Sequence, residues 1–162
     1  EELISSFLVP ALIEEGLKFS VLYFIVYKMR EFNEPMDGIV YGVTVSLGFA
    51  TLENIYYVFF AGFDDPLGIA YLRAFTAVPA HALFGVFMGY FFMKYTFIQK
   101  KNSLFFAFLI SYFLHSYYNY FVVINYNFMF LGLIVGWVIA LKIFLNLKKN
   151  QKNKKYEYEK KV

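Results

Sequence analysis

Five stretches of this sequence are apolar over the length a helix needs to cross a bilayer, roughly 20 residues against a hydrocarbon core of about 30 Å. They cover residues 3–27, 38–60, 69–95, 103–124 and 127–147. The segments between them are polar or turn-forming: Lys28-Met-Arg-Glu-Phe-Asn-Glu-Pro35, Gly62-Phe-Asp-Asp-Pro-Leu-Gly68, Gln99-Lys-Lys-Asn102 and Asn125-Tyr-Asn127. Connections this short join antiparallel neighbours, and the period-two alternation of a transmembrane barrel is absent. The sequence therefore predicts an all-α, polytopic transmembrane helical bundle. It has about five spanning helices over 1–147, followed by a basic tail over 148–162.

Composition bears on what this bundle can do. The chain is 60% hydrophobic and 17% charged, against about 45–50% and 25% for a soluble domain. Its formal charge is +3, and the tail alone carries seven Lys and two Glu, which leaves −2 for the other 147 residues. No basic face remains for nucleic acid, so no nucleic-acid partner is expected. The lysine run reads as solvated or drawn to anionic membrane lipid. With no cysteine there is no disulfide, thiol nucleophile or thiolate metal site.

Basic residues also orient the bundle. The first loop carries Lys28 and Arg30, the third Lys94, Lys100 and Lys101; the second and fourth have none, apart from Arg73 just inside the third span. Loops one and three and the tail are thus expected to be cytoplasmic. Residue 1 then lies outside, which predicts an odd number of spans upstream, most simply one; a chain that starts outside is the alternative. No charged leader or cleavage site precedes the first apolar run, so no signal peptide is expected.

Ionisable groups inside a span are costly, and each is a functional hypothesis. Span one holds Glu14, Glu15 and Lys18; span two Glu53 and Asn54; span three His81; span four His115 and Asn119. Counted from the outer end of each span at about 1.5 Å per residue, Glu14, Glu53, His81 and His115 all fall roughly 10–18 Å deep. Four helices thus deliver polar groups to one layer in the outer half of the membrane. Glu14 and Lys18 share a helical face, as do His115, Asn119 and Ser111, and as do His81, Gly85 and Gly89. The two glycines allow close helix approach, so His81 is expected in a packed seam. Blander readings exist for each feature. A Glu14–Lys18 pair makes insertion tolerable but leaves Glu15 unpaired, Arg73 has a snorkelling alternative, and Gly132 and Gly136 read as packing.

The spacing resembles a known pattern. Glu14-Glu15-Gly-Leu-Lys18 resembles the Glu-Glu-x-x-Lys motif of the PrsW family of intramembrane proteases. Asp37-Gly-Ile-Val-Tyr-Gly-Val-Thr-Val-Ser-Leu-Gly-Phe-Ala-Thr-Leu-Glu53-Asn54 is similar to its second block, Arg73-Ala-Phe-Thr-Ala-Val-Pro-Ala-His81 to its third, and His115-Ser-Tyr-Tyr-Asn119 to its fourth. The family is distantly similar to the CAAX-processing endopeptidases and the related bacteriocin-immunity proteases. The separate Glu53-Asn54 element favours PrsW. The departure is at the N-terminus, where the family usually has further spans. The resemblance implies a hydrolase of the bacterial plasma membrane, an endopeptidase that cuts a single-span anti-sigma factor on its outer side.

Peptide hydrolysis needs a water, a base for it and donors for the oxyanion. In one arrangement Glu14 or Glu15 is the base, His81 shares the water, and His115 and Asn119 donate to the oxyanion; Glu53 belongs to the same layer, with Lys18, Asn54 and Arg73 in support. In the other, His81, His115 and Glu14 or Glu53 hold Zn²⁺. No His-Glu-x-x-His helix is present, so metal-free glutamate chemistry is favoured, no cofactor is expected, and zinc is the alternative. Ser46, Ser111 and Ser116 keep a covalent route open. The rival of another class is a non-catalytic membrane binder or transporter, which a helix broken near Pro79 would support.

Overall fold

The computed structural model describes the backbone of residues 2–159 and the side chains of residues 7–151. Among the described residues there is no strand. Six α-helices follow one another: α1 Glu2–Phe24, α2 Pro35–Phe59, α3 Pro66–Phe75, α4 Ala77–Ile98, α5 Asn102–Ile124 and α6 Tyr126–Glu159. Four helical segments are long and apolar enough to cross a membrane: Pro35–Phe59, Pro66–Ile98, Asn102–Ile124 and Tyr126–Gln151. The 23-residue α1 has the length as well, but Glu14, Glu15 and Lys18 interrupt its apolar run. The chain is a multi-pass membrane protein.

Local chemistry sets the helix ends. Pro35 opens α2, where its missing N–H costs nothing, and Asp37 Oδ2 accepts from Asn33 N at 2.9 Å and Glu34 N at 2.8 Å. Asp37, the first residue of the second motif block, is therefore part of a capping box. Asp65 caps α3 by accepting from Gly68 N at 2.9 Å. Asn125 is the single extended residue between α5 and α6, and its side chain accepts from Asn127 N at 3.0 Å. α6 continues through the lysine run without a break as far as Glu159.

The third predicted span is two helices. Pro79 has no N–H to donate to the carbonyl of Phe75, and its ring would clash there if the helix ran on. The backbone breaks at Thr76 (φ −121°, ψ −67°), and Pro79 falls in the first turn of α4, where it is tolerated. The break wastes few bonds: Thr76 N donates to Leu72 O at 3.1 Å, and Ala80 N to Thr76 O at 3.0 Å.

α4 is the central helix, with α2 and α5 packed against it and α1 filling in beside α5 and α2. Without water inside a bilayer, helices associate through close packing and small residues. α2 and α4 meet along an antiparallel seam in four-residue steps. Gly38 lies against Gly89 and Gly42 against Gly85, and Ser46 Oγ donates to His81 O at 2.6 Å. Beyond them Ala50 and Ala77 are buried, and Arg73 Nε donates to Asn54 Oδ1 at 2.6 Å. A Cβ on Gly38 would stand 2.7 Å from Gly89 O, so the backbones are in direct contact. Gly136 packs under Leu83 and Gly132 under the Tyr117 ring, the packing role expected of that pair. Large apolar side chains such as Phe59, Leu67 and Phe75 point out of the bundle, where lipid would meet them.

Candidate active site

The seam puts His81 in the middle of the molecule with 1% of its surface exposed, in a packed position as expected. Around it the bundle gathers Glu14, Glu15 and Lys18 from α1, Glu53 from α2 and His115 from α5. All lie in one continuous polar cluster, with the two imidazole centroids 5.1 Å apart. Phe84 stacks on His115 at 5.0 Å and walls the cluster on one side.

Glu15 is the most fully committed member. It is completely buried. Its Oε1 accepts from Lys18 Nζ at 2.6 Å and lies 2.8 Å from His115 Nδ1, and its Oε2 accepts from Ser111 Oγ. The expected Glu14–Lys18 ion pair is present at 3.8 Å, but the expectation that it leaves Glu15 unpaired is corrected: Lys18 sits closer to Glu15 and hydrogen-bonds it. The reason is tertiary. His115 and Ser111 draw Glu15 inward, and the buried ammonium follows the carboxylate that is already desolvated. Lys18 Nζ also reaches His81 Nδ1 at 2.9 Å.

An ammonium only donates, so His81 Nδ1 accepts and its proton lies on Nε2. Nε2 lies 3.0 Å from Glu53 Oε2, but without the alignment of a hydrogen bond. Arg73 Nη2 approaches the same oxygen at 2.8 Å, close in distance but not aligned as a hydrogen bond. The guanidinium lies over the Tyr57 ring, 4.1 Å from its centroid. Arg73 therefore turns inward onto Glu53 and Asn54 rather than out toward the headgroups, because the break at Thr76 rotates α3 relative to α4.

On His115 the logic is reversed. A carboxylate only accepts, so Nδ1 donates to Glu15 and Nε2 is left facing away from it. Glu14 Oε2 is buried and has no hydrogen-bond partner among the described residues. Glu14, His81 and His115 each offer one donor atom, and these atoms lie within 4.8 Å of one another. A divalent ion fits this set. Glu14 has an orphaned oxygen, and His115 has the carboxylate-backed imidazole typical of metal ligands. His81 would have to exchange one of its present partners. Glu14 is the carboxylate that stands with both histidines; Glu53 contacts His81 alone among them. Asn119 lines a cavity with His81 and Glu53 and makes no side-chain hydrogen bond among the described residues.

Two supports escaped the sequence reading as such. Ser46 holds the His81 carbonyl, and Ser111 closes off Glu15. Ser111 was visible one turn from His115. Ser46 was visible as a member of the small-residue ladder Gly38, Gly42, Ser46, Ala50, whose spacing matches Gly85 and Gly89.

The fold and the site define a multi-pass helical membrane protein that gathers three glutamates, a lysine and two histidines in one cluster. Comparison with known proteins gives the family. The sequence pattern of the PrsW-protease family, described as "PrsW family intramembrane metalloprotease", matches residues 1–146, and the chain belongs to that family. It is 39% identical over 145 residues to Protease PrsW of Clostridioides difficile (strain 630), covering 87% of this chain and 61% of that protein. It is 44% identical over 142 residues to Protease PrsW of Geobacillus kaustophilus (strain HTA426), covering 85% and 61%. With Protease PrsW of Bacillus subtilis (strain 168) it shares 47% over 96 residues, 59% of this chain and 42% of that one. The chain spans about three fifths of the length of the first two relatives. No solved structure matches it.

Proposed function

We propose that this chain carries the catalytic site of an intramembrane endopeptidase that cuts a single-span, anti-sigma-factor-like membrane protein near the outer face of a bacterial plasma membrane. The observation that carries the reading is the buried Glu14 Oε2, without a hydrogen bond, beside the ring nitrogens of His81 and His115. Glu14 is the base. It keeps one oxygen free and stays partly exposed, whereas both Glu15 oxygens are engaged. Glu14 takes a proton from water as the water attacks the scissile carbonyl, and returns it to the leaving amine. Glu15 is a positioning residue that holds His115 with Nε2 toward the reacting water. Glu53 holds His81 from the far side, and Lys18 balances the carboxylates. Asn119 offers its amide N–H to the oxyanion. If a divalent ion is bound, Glu14, His81 and His115 hold it, and it supplies a water with pKa near 7. The 148–162 segment is read as a cytoplasmic tail whose net positive charge is solvated or drawn to anionic lipid.

A transporter would use a broken span to offer free backbone groups to its cargo. Here the N–H and carbonyl of Thr76 at the break are both bonded, and Arg73 just before it meets Glu53, which favours the peptidase. The test is turnover. The full-length protein, reconstituted with a tagged single-span anti-sigma factor, is expected to yield a shortened product, and Glu14→Gln to yield none while Tm stays near wild type. Chelation that silences the enzyme, with recovery on adding Zn²⁺, would assign the ion; indifference to chelators would assign Glu14 alone. Full turnover by Glu14→Gln ends the proposal.

A further inference from the structure

A cavity of about 320 Å³ opens directly onto the cluster, and most of its lining takes no part in the chemistry described so far. His81 and Glu53 form its floor. Ile69 and Leu72 of α3 wall one side, and Val122 and Val123 of α5 the other. A water occupies about 30 Å³ of liquid, so the space holds a branched or aromatic side chain with room to spare. Its two charged groups, Arg73 and Glu53, face each other as an ion pair, and the Asn119 amide beside them is the uncharged polar group it offers. Arg73 is paired with Glu53 and Asn54, and Tyr118 Oη donates to Thr76 Oγ1 at 3.1 Å. A charged side chain entering here would meet no free counter-charge and would be desolvated without compensation. An apolar one would exchange lipid or water for Ile69, Leu72 and Val122.

We propose that this cavity is the substrate side-chain subsite: it takes one aliphatic or aromatic side chain next to the scissile bond, and Leu72 and Val122 set how large that side chain can be. The occupant follows from continuity. A peptide whose carbonyl lies over Glu14 and His115 has a neighbouring side chain within reach of the space beside His81. α3 thereby acquires a function. It is the short helix that the break at Thr76 sets apart, and it supplies one wall of the subsite. The inference rests on the peptidase reading, and the test separates the two.

The full-length protein in lipid nanodiscs is given a library of apolar peptides, and cut sites are read by mass spectrometry. Wild type is expected to favour Leu or Phe at one position flanking the cut. Val122→Phe, which fills the cavity, is expected to shift that position toward Ala. Leu72→Ala, which enlarges it at a half-exposed site, is expected to shift it toward Phe or Trp. A methylene in a pocket is worth about tenfold or more, so each shift is expected to be at least about tenfold in the Phe/Ala ratio. The same preference in all three proteins overturns the subsite and leaves the peptidase standing. Wild type that cuts nothing in the library or in a tagged single-span protein overturns the peptidase reading and the subsite with it.

Discussion

The α2–α4 seam makes a quantitative prediction through Gly42. A Cβ there would lie 2.9 Å from Gly89 Cα and 3.0 Å from Gly89 N, and in hard overlap with Gly85 O. Ordinary contacts begin at about 3.4 Å, and the opposing atoms are backbone, so no rotamer change relieves the clash. The helices must part by about 1 Å. Overpacking of this kind costs about 1–3 kcal/mol. The effect on turnover is larger, because one step along the seam Ser46 holds the His81 carbonyl at 2.6 Å. Displacing a catalytic group by about 1 Å costs about 10²-fold in rate. Gly42→Ala is therefore expected to lower Tm by several degrees and cleavage by about 10²-fold. The control is Gly48→Ala on the same helix, where an added Cβ meets nothing within 4 Å. It is expected to keep both activity and Tm, or to gain slightly through the helix propensity of alanine. Both variants are compared by thermal unfolding in detergent and by product formation from a tagged substrate. Equal behaviour of the two would refute the claim that backbone contact at this seam places His81.

Other perturbations separate the remaining roles. Lys18→Met removes the only cation within reach of Glu15 among the described residues, and stranding a buried carboxylate is expected to cost about 3–5 kcal/mol; unchanged unfolding would show that the ammonium is dispensable. Arg73→Lys keeps the charge but loses the fork that reaches Glu53 and Asn54 together. The charged hydrogen bond to Asn54 is worth about 1.5–3 kcal/mol, so kcat/KM is expected to fall about 10- to 100-fold, and wild-type kinetics would refute the positioning of Glu53 by Arg73. A cysteine at Asp65 is expected to react with an impermeant thiol reagent from outside and one at Asn102 is not; the reverse pattern overturns the orientation.

Much of the site was legible because burying charge in a membrane is so costly that few such residues survive without a role. Glu14, Glu15, Glu53, His81 and His115 declared themselves by residue type and depth, and the structure brings all five together. The pairing within the cluster was not legible. Lys18 is one turn from both glutamates, and helical geometry alone cannot choose between spacings of three and four. The choice is made by Ser111 and His115, residues 96 and 100 positions away from Glu15. The third span illustrates the same limit. Pro79 announced a break, but the consequence, that Arg73 turns inward, depends on Asn54 waiting one seam step beyond Ala50.

The short helix α3 has a consequence for what holds the site in place. None of its residues is buried, and Leu67, Tyr71 and Phe75 are each at least 70% exposed. Its inward polar anchor is Arg73, and from there Glu53 and His81 follow at 2.8 and 3.0 Å. In a bilayer, lipid tails would press on one side of a helix whose other side reaches an imidazole of the candidate site through two contacts. The solvent of this protein is part of its scaffold. A thinner bilayer or a detergent micelle changes the load on α3, and that load reaches His81 with little protein in between to absorb it.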